Sequence, residues 1–244
     1  MAGSYTAQDI TVLEGLEPVR LRPGMYIGGT GKAGFHHLLW EIVDNAVDEA
    51  INGYATRISV NLHADGRTAT VEDNGRGIPV DKHPVHKKAA LEIILTTLHA
   101  GGKFDQQNYI TSGGLHGVGS SVVNALASSL TATIRRGGSE YRQDYRRGKP
   151  RGPVKKVGPA RGSGTQITFT PDDEIFGPAV FDTGMIRERL EVKAYLNPSL
   201  RILFKDEATN TSCEFRHDGG LNDYLSHCLN QSERSSLTPE VFSW

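Results

Sequence analysis

Cysteine and long apolar runs are both scarce in this sequence. The two cysteines among 244 residues, Cys213 and Cys228, are too few for a disulfide framework or a cysteine-rich metal site, which favours a reducing compartment. No apolar stretch reaches the roughly 20 residues that span a bilayer, and no signal peptide is recognisable. We therefore expect a soluble, cytoplasmic protein without membrane contact.

An excess of charge of either sign is also missing. The chain carries 27 basic and 28 acidic residues, a net charge of −1. The net charge of the chain therefore does not attract nucleic acid or a membrane, and any ligand must be bound by a local group of residues. The length allows one large domain or two modest ones with a real core.

The common nucleotide-binding glycine motifs are absent as well. The Gly-Lys pairs at 31, 102 and 148 are followed by Ala33, Phe104 and Pro150, whereas a P-loop requires Ser or Thr at that place. A dinucleotide fingerprint fails because Val122 stands where its third glycine should be. Both widespread phosphate-binding motifs are thus excluded.

Two other glycine-rich stretches are present. Residues 73–79 (DNGRGIP) place the carboxylate of Asp73 ahead of two glycines, and residues 113–119 (GGLHGVG) lead directly into an apolar helical run. Glycine lets backbone N–H groups approach a ligand closely, and a helix N-terminus attracts an anion. Together the stretches predict one pocket that recognises a base and binds phosphates, although a plain flexible loop would also explain the second stretch.

The apolar pattern predicts an irregular arm over residues 1–17, a loop over 18–29, and an irregular alternation of helices and strands beyond. Helices are expected at 34–53, 89–99, 120–128, 185–196 and 221–229. Strands are expected at 58–62, 68–72, 130–136, 139–145, 165–170, 200–205 and 212–216. Hairpin turns imply antiparallel pairing, so the predicted fold class is α+β: a two-layer sandwich of a mixed, mainly antiparallel sheet with helices on one face.

The helix predicted at 34–53 has a polar stripe. With Glu41 at 0° and about 100° per residue, Asn45 lies near 40°, Asp48 near 340° and Asn52 near 20°. A glutamate could accept a proton from an attacking water, and a carboxamide one turn away could ligate Mg²⁺. A solvated helix face is the alternative, and for Asp48 and Asn52 it is equally good.

Three stretches in this order resemble the N-terminal ATPase region of the bacterial DNA gyrase B family, a type IIA topoisomerase family of the GHKL ATPase superfamily. They are residues 41–50 (EIVDNAVDEA), 73–79 and 114–119, and the resemblance covers about residues 5–230. It implies the GHKL (Bergerat) ATP-binding fold, and ATP and Mg²⁺ as cofactors. In an intact enzyme it implies ATP-driven dimerisation that operates a gate for DNA strand passage and negative supercoiling, with the gyrase A subunit and DNA as partners. The ATPase subunit of topoisomerase IV is the alternative.

The resemblance also implies roles for individual residues. Glu41 corresponds to the general base, Asn45 to the metal ligand, and Asp73, supported by Thr165, to the acceptor of the adenine amino group. Tyr5 corresponds to an arm residue that reaches the partner's nucleotide in a nucleotide-dependent homodimer. Further implied ATP-binding residues are Asp48, Arg76, Gly77, Ile78, Gly101, Gly102, Lys103, Tyr109, Gly114, Leu115, His116, Gly117, Val118 and Gly119.

The family also binds coumarin-type inhibitors at the mouth of its nucleotide pocket. The residues that correspond to this inhibitor site are Val43, Val71, Arg76, Pro79, Arg136, Thr165 and Ile167. Residues 83–88 (HPVHKK) depart from the acidic-glycine turn that the family usually has here.

The resemblance divides the chain into a 1–17 arm, an 18–230 ATPase domain and a 231–244 segment leading toward a transducer domain. In the family, that transducer domain supplies a lysine to the terminal phosphate. We therefore expect a fragment that binds ATP and hydrolyses it slowly by itself.

Two further functions compete with this interpretation. The basic run over residues 135–161 could contact a DNA backbone, although charges on a hairpin are usually solvated. A phosphotransfer site of the histidine-kinase type is the other possibility. It does not require Glu41, and the sequence lacks a preceding helix with a phosphoacceptor histidine.

Overall fold

The computed structural model describes residues 13–100 and 119–232, and its strands in this part of the chain form one sheet. They are β1 (Arg57–Leu62), β2 (Ala69–Asp73), β3 (Ala127–Arg136), β4 (Ser139–Arg146), β5 (Lys149–Pro150), β6 (Lys155–Pro159), β7 (Gly164–Pro171), β8 (Arg201–Asp206) and β9 (Thr211–Phe215). Their order is β5-β4-β3-β7-β2-β1-β8-β9, with β6 also paired to β4. Only the β1–β8 pair is parallel among these strands.

The helices lie between and around these strands. They are α1 (Glu17–Leu21), α2 (Gly24–Ile27), α3 (Lys32–Ile51), α4 (Ala90–Thr96), α5 (Gly119–Leu126), α6 (Asp173–Phe176), α7 (Thr183–Leu196) and α8 (Leu221–Gln231). Within the described ranges no helix has the length and apolar character needed to cross a bilayer.

Helix α3 is the central element of the helical layer. Its apolar side chains, such as Phe35, Leu39 and Val43, are fully buried and pack against β1, β2 and β7. The strands alternate buried and partly exposed positions, so that one face of the sheet forms the core and the other is polar. The predicted fold class, an α+β sandwich with a mainly antiparallel sheet, is confirmed.

The segment predicted as a loop over residues 18–29 instead contains the short helices α1 and α2. Proline at the first turn of α1 suits a helix start, because its missing N–H would be unpaired there anyway. Gly28 ends α2 in the left-handed region at φ 75°. Helices of five and four residues are too short to produce a readable apolar period.

A buried carboxylate, Asp172, ties α1 to α5 and to the end of β4. Its Oδ2 atom lies 2.7 Å from Arg20 Nη2 and 2.8 Å from Arg147 Nε. Arg20 also donates from Nη1 to the carbonyl of Ala125 at 2.7 Å. Burial raises the pKa of Asp172, but the hydrogen bond from Arg20 and the charges of both arginines outweigh it and hold the pKa below its ordinary value.

Candidate functional site

Asp73 ends β2 and is almost completely buried, with 6% of its surface exposed. Its Oδ1 atom accepts hydrogen bonds from the main-chain N–H of Gly75 at 2.8 Å and of Thr165 at 3.3 Å. Both of these hydrogen bonds end on Oδ1, and none within the described residues ends on Oδ2. The side chain is therefore held at one oxygen and can accept a ligand donor at the other.

Burial also changes the acidity of this carboxyl group. Removal from water raises the pKa of Asp73 to about 6, with smaller contributions from Glu49 and Glu72, and the hydrogen bonds from Gly75 and Thr165 only partly oppose the shift. A buried carboxyl group whose pKa is raised in this way is a candidate for a functional site.

Glycine is required at two places around Asp73 because the backbones approach too closely for a side chain. A Cβ atom at Gly164, where φ is +149°, would lie 2.1 Å from the carbonyl oxygen of Asp73. A Cβ atom at Gly77, where φ is +75°, would lie 2.7 Å from the carbonyl oxygen of Arg135. These contacts hold the 73–79 segment against the start of β7 and the end of β3.

Two arginines fix the position of this segment: Arg76 belongs to it and binds α3, and Arg136 binds it from the end of β3. Arg76 donates to Glu49 from its backbone at 3.0 Å and from Nη2 at 2.7 Å, and its guanidinium lies 3.6 Å from the ring centre of Tyr54. Arg136 donates from Nη1 to the carbonyl of Gly77 at 2.7 Å. The structure thus brings together the two arginines that were expected at one pocket mouth.

Glu49 is a site residue that the sequence prediction missed. It lies eight residues after Glu41 and four after Asn45, so the same helical stripe could have identified it. A Cβ atom at Gly75 would lie 2.8 Å from its Oε2 atom, which shows how tightly the 73–79 segment packs on α3.

The other end of the polar stripe on α3, at Glu41 and Asn45, lies against the N-terminus of α5. A Cβ atom at Gly119, the first residue of α5, would lie 1.9 Å from Oε2 of Glu41. His37 Nε2 lies 3.0 Å from Oε1 of Glu41. Asn45 donates from Nδ2 to Ser120 Oγ at 3.0 Å. Glu41 and Asn45 therefore both face the end of α5 where backbone N–H groups favour an anion.

One helix thus connects two chemically different places. The eight residues from Glu41 to Glu49 span about 12 Å along the axis of α3. One end lies beside the buried carboxylate and the other beside a helix N-terminus. Such an arrangement can hold a ligand that carries a hydrogen-bond donor at one end and an anion at the other.

Three of the apolar residues implied for the inhibitor site are part of the buried core around α3, β2 and β7. Val71 pairs with Ile167 across β2 and β7, and both are buried, as is Val43 on α3. Ile78 is partly buried against this core and donates its N–H to Thr165 Oγ1 at 3.3 Å. Pro79 is exposed.

The alternative interpretation of Asp48 as a solvent-facing side chain is wrong, since only 1% of its surface is exposed. Asn52, the other residue of that alternative, is partly exposed and donates from Nδ2 to the carbonyl of Asp48 at 2.8 Å. Several predicted residues lie outside the described ranges: Tyr5, Gly101, Gly102, Lys103, Tyr109, Gly114, Leu115, His116, Gly117 and Val118.

A protein-only metal cage is absent from the described residues, which contain no group of three or more His, Cys, Asp or Glu that could hold a metal. The donor set near α5 suits another arrangement. Asn45 offers one hard oxygen, and Mg²⁺ commonly takes one or two protein oxygens together with substrate phosphates and water.

The fold and this site define an ATPase. The family model of histidine kinase-, DNA gyrase B- and HSP90-like ATPases matches residues 31–175. The chain belongs to this family.

Individual relatives narrow the comparison to topoisomerases. The chain is 52% identical to the B subunit of DNA gyrase from Thermotoga maritima, over 95% of this chain and 36% of the relative. It is 47% identical to the B subunit of DNA topoisomerase 4 from Caulobacter vibrioides, over 99% of this chain and 35% of the relative. The chain therefore spans about a third of the length of these relatives.

A solved structure gives the same result for the fold. The 43K ATPase domain of Thermus thermophilus gyrase B, in complex with an aminocoumarin, superposes with a TM-score of 0.79 at 46% identity. The match covers 87% of this chain and 54% of that one. These relatives favour the topoisomerase prediction over the histidine-kinase alternative.

Proposed function

We propose that this chain is the ATP-binding and ATP-hydrolysing part of a bacterial type II topoisomerase B subunit of the gyrase type. The observation that carries the proposal is the position of two carboxylates near opposite ends of one stripe of α3: Asp73 lies near Glu49, and Glu41 packs against Gly119. The ATPase subunit of topoisomerase IV is the second candidate, because a relative of that name is 47% identical.

Asp73 would select the base. Its ionised Oδ2 atom accepts a hydrogen bond from the adenine amino group, whereas guanine would present a carbonyl oxygen and be repelled. Thr165 supports this role through its N–H, which donates to Oδ1 of Asp73. Val43, Val71, Ile78 and Ile167 would form the apolar surroundings of the ring.

Glu41 would act on the attacking water. In this role its carboxylate takes a proton from water as the oxygen approaches the terminal phosphorus, while the N–H groups at the start of α5 hold phosphate oxygens. Asn45 would contribute an oxygen to Mg²⁺, which supplies charge neutralisation of the phosphates when bound. Lys103 and residues 114–118 are proposed as further phosphate contacts.

The longer protein would couple this chemistry to DNA. By analogy with the gyrase B relatives, we propose a cytoplasmic enzyme that works with a gyrase A subunit and passes DNA through a gate operated by nucleotide-dependent dimerisation, with Tyr5 contributing to the partner's site. Coumarin-type inhibitors are proposed to bind beside Arg76, Pro79 and Arg136, a proposal supported by the aminocoumarin complex of the Thermus protein.

Titration calorimetry with a non-hydrolysable ATP analogue tests base recognition. The chain should bind this adenine nucleotide in preference to the matching guanine nucleotide, and Asp73→Asn should lose most of the affinity. The exposed carboxylate Asp218 supplies a control, and Asp218→Asn should bind normally. Equal binding by Asp73→Asn, or no binding by the unchanged chain, would overturn the proposal.

Turnover requires a separate measurement in the longer subunit. There, Glu41→Ala should retain nucleotide binding and lose hydrolysis. Unchanged hydrolysis would remove Glu41 from its proposed role, even if the base-recognition result held.

A further inference from the structure

The charge of this chain is unevenly distributed. Residues 139–161 contain eight basic and two acidic side chains, a net charge of +6, whereas the rest of the chain has 19 basic and 26 acidic residues, a net charge of −7. This segment comprises β4, β5, β6 and the turns after them, at one edge of the sheet. The near-neutral total therefore conceals one strongly basic edge.

Pairing across the strands places like charges side by side. Arg142 lies opposite Lys155 in the β4–β6 pair, and Arg146 lies opposite Lys149 in the β4–β5 pair. All four side chains are exposed. Like charges directly opposite each other destabilise an antiparallel pair. Asp144 offsets the charges of Arg142 and Lys155, whereas no ion pair within the described residues offsets those of Arg146 and Lys149.

Three basic side chains near this edge form ion pairs with carboxylates of the described residues, and five others do not. Arg147 contacts Asp172 and Glu174, Arg135 contacts Glu72, and Arg142 contacts Asp144. Within the described residues no side-chain hydrogen bond or ion pair engages Arg146, Lys149, Arg151, Lys155 or Lys156, which we call the basic edge.

The kind of ligand follows from the composition of this surface. Val157 is the one exposed large apolar residue on this described edge, whereas protein interfaces bury an apolar core. Extended strands spread the charges in two rows, with Arg142 and Arg146 about 13 Å apart along β4. Cationic side chains that face solvent at such intervals can contact the regularly spaced phosphates of a nucleic acid. Without stacking aromatic residues they do not distinguish one base from another.

We propose that the basic edge binds the phosphate backbone of duplex DNA without sequence preference. This inference rests on the proposed function, since a topoisomerase must hold DNA. The contact is separate from the nucleotide site. Arg136, at that site, pairs with Ser139 at the start of β4, and Arg146 lies about 23 Å further along the strand.

The test compares two triple variants of the chain. The first is Arg146→Ala with Lys149→Ala and Lys155→Ala. The matched control removes three exposed basic residues from other surfaces: Arg22→Ala with Arg187→Ala and Lys205→Ala. Binding of a labelled random-sequence duplex is measured by fluorescence anisotropy between about 50 and 200 mM salt, where counterion release makes phosphate contacts visible. Nucleotide binding is measured on the same samples.

The unchanged chain should bind the duplex with an affinity that falls as salt rises. Removing the three edge residues should weaken binding at least about tenfold at low salt and reduce the slope of log K against log salt by about 1 per lost contact. The control should lose much less. Equal losses in both triple variants, or no duplex binding by the unchanged chain, would overturn the inference.

A second probe separates DNA from an acidic protein partner. If poly-glutamate of matched charge binds as tightly as the duplex and loses affinity in the same variant, the DNA assignment is wrong. If nucleotide binding is absent while the duplex results hold, the proposed ATPase function fails and the DNA contact stands.

Discussion

The carboxylate of Glu41 occupies the space that a side chain at Gly119 would need. A Cβ atom built at Gly119 lies 1.9 Å from Oε2 and 2.9 Å from Cδ of Glu41. Gly119 begins a helix and has no positive φ. Glycine is therefore required at this position because there is no room for a side chain, and not because of its backbone conformation.

We predict that Gly119→Ala lowers ATP turnover in the longer subunit at least about tenfold, because small displacements of a catalytic group are costly. Alanine ordinarily stabilises a helix by up to about 1 kcal/mol relative to glycine, so a general loss of helix stability cannot explain a fall in rate. The measurement is steady-state hydrolysis together with nucleotide affinity.

Gly152→Ala is the control for that substitution, since a Cβ atom at Gly152 meets nothing within 4 Å. It should hydrolyse ATP at the normal rate. If Gly119→Ala hydrolyses ATP at the normal rate, the prediction is wrong, because a displaced Glu41 side chain then does not affect the reaction.

Asp73→Asn should make the folded chain more stable at neutral pH. The pKa of Asp73 rises from 3.8 in the unfolded chain to about 6 in the fold, so the folded state binds the proton more tightly. The contribution of this residue to stability therefore falls as pH rises through that interval. Asparagine carries no charge and can still accept the hydrogen bonds from Gly75 and Thr165, so the gain should reach up to about 3 kcal/mol above pH 7.

Denaturant unfolding at several pH values measures this effect. The difference between Asp73→Asn and the unchanged chain should shrink as pH falls below about 6 and vanish below about pH 3, where the carboxyl group is neutral in both the folded and the unfolded chain. A constant difference across this range would assign the effect to packing instead of charge.

His36 should make stability sensitive to acid in the opposite sense. Its Nδ1 atom lies 2.8 Å from the Lys32 carbonyl, and its Nε2 atom accepts from the N–H of Asp182 at 2.8 Å. Burial lowers the pKa of His36 below 6.5, so the fold prefers the neutral ring. The stability that this ring contributes is present above pH 6.5 and is lost as pH falls through the lowered pKa.

His36→Phe keeps an aromatic ring between Phe35 and Phe181 but removes both nitrogens. We expect it to cost about 1–3 kcal/mol at neutral pH, because a buried N–H loses its acceptor, and less at about pH 5. The exposed His86 provides the control, and His86→Phe should leave the pH profile of unfolding unchanged.

Asp172→Asn should destabilise the chain far more than Glu174→Gln. Both acids contact Arg20 and Arg147, but the side chain of Asp172 is 1% exposed and that of Glu174 is 62% exposed. Loss of the buried charge should cost about 2–4 kcal/mol, and loss of the exposed one under about 0.5 kcal/mol. Similar unfolding midpoints for the two variants would contradict this account of the cluster.

The apolar period predicted the principal layers and part of the site. The helix at 34–53 and the strands around it were predictable because Phe35, Leu39 and Val43 repeat with the helical period. Strands β5 and β6 were missed because residues such as Pro150, Lys155 and Gly158 have low strand propensity. Pairing with β4 holds them in place, and pairing partners cannot be read from local composition.

The helical wheel located Glu41 and Asn45 but gave no information on what faces them. The burial of Asp48, the ion pair of Glu49 with Arg76 and the contact between Glu41 and Gly119 all depend on elements distant in the chain. The motif resemblance supplied several of these residues as a set. Their mutual contacts became visible only in three dimensions.

Helix α5 runs into β3 without an intervening residue, since the helix ends at Leu126 and the strand begins at Ala127. The helix that faces Glu41 is therefore joined to a strand of the sheet without a linker. Arg20 binds the carbonyl of Ala125 at this junction. This contact joins α1 to the helix whose first residue packs on Glu41.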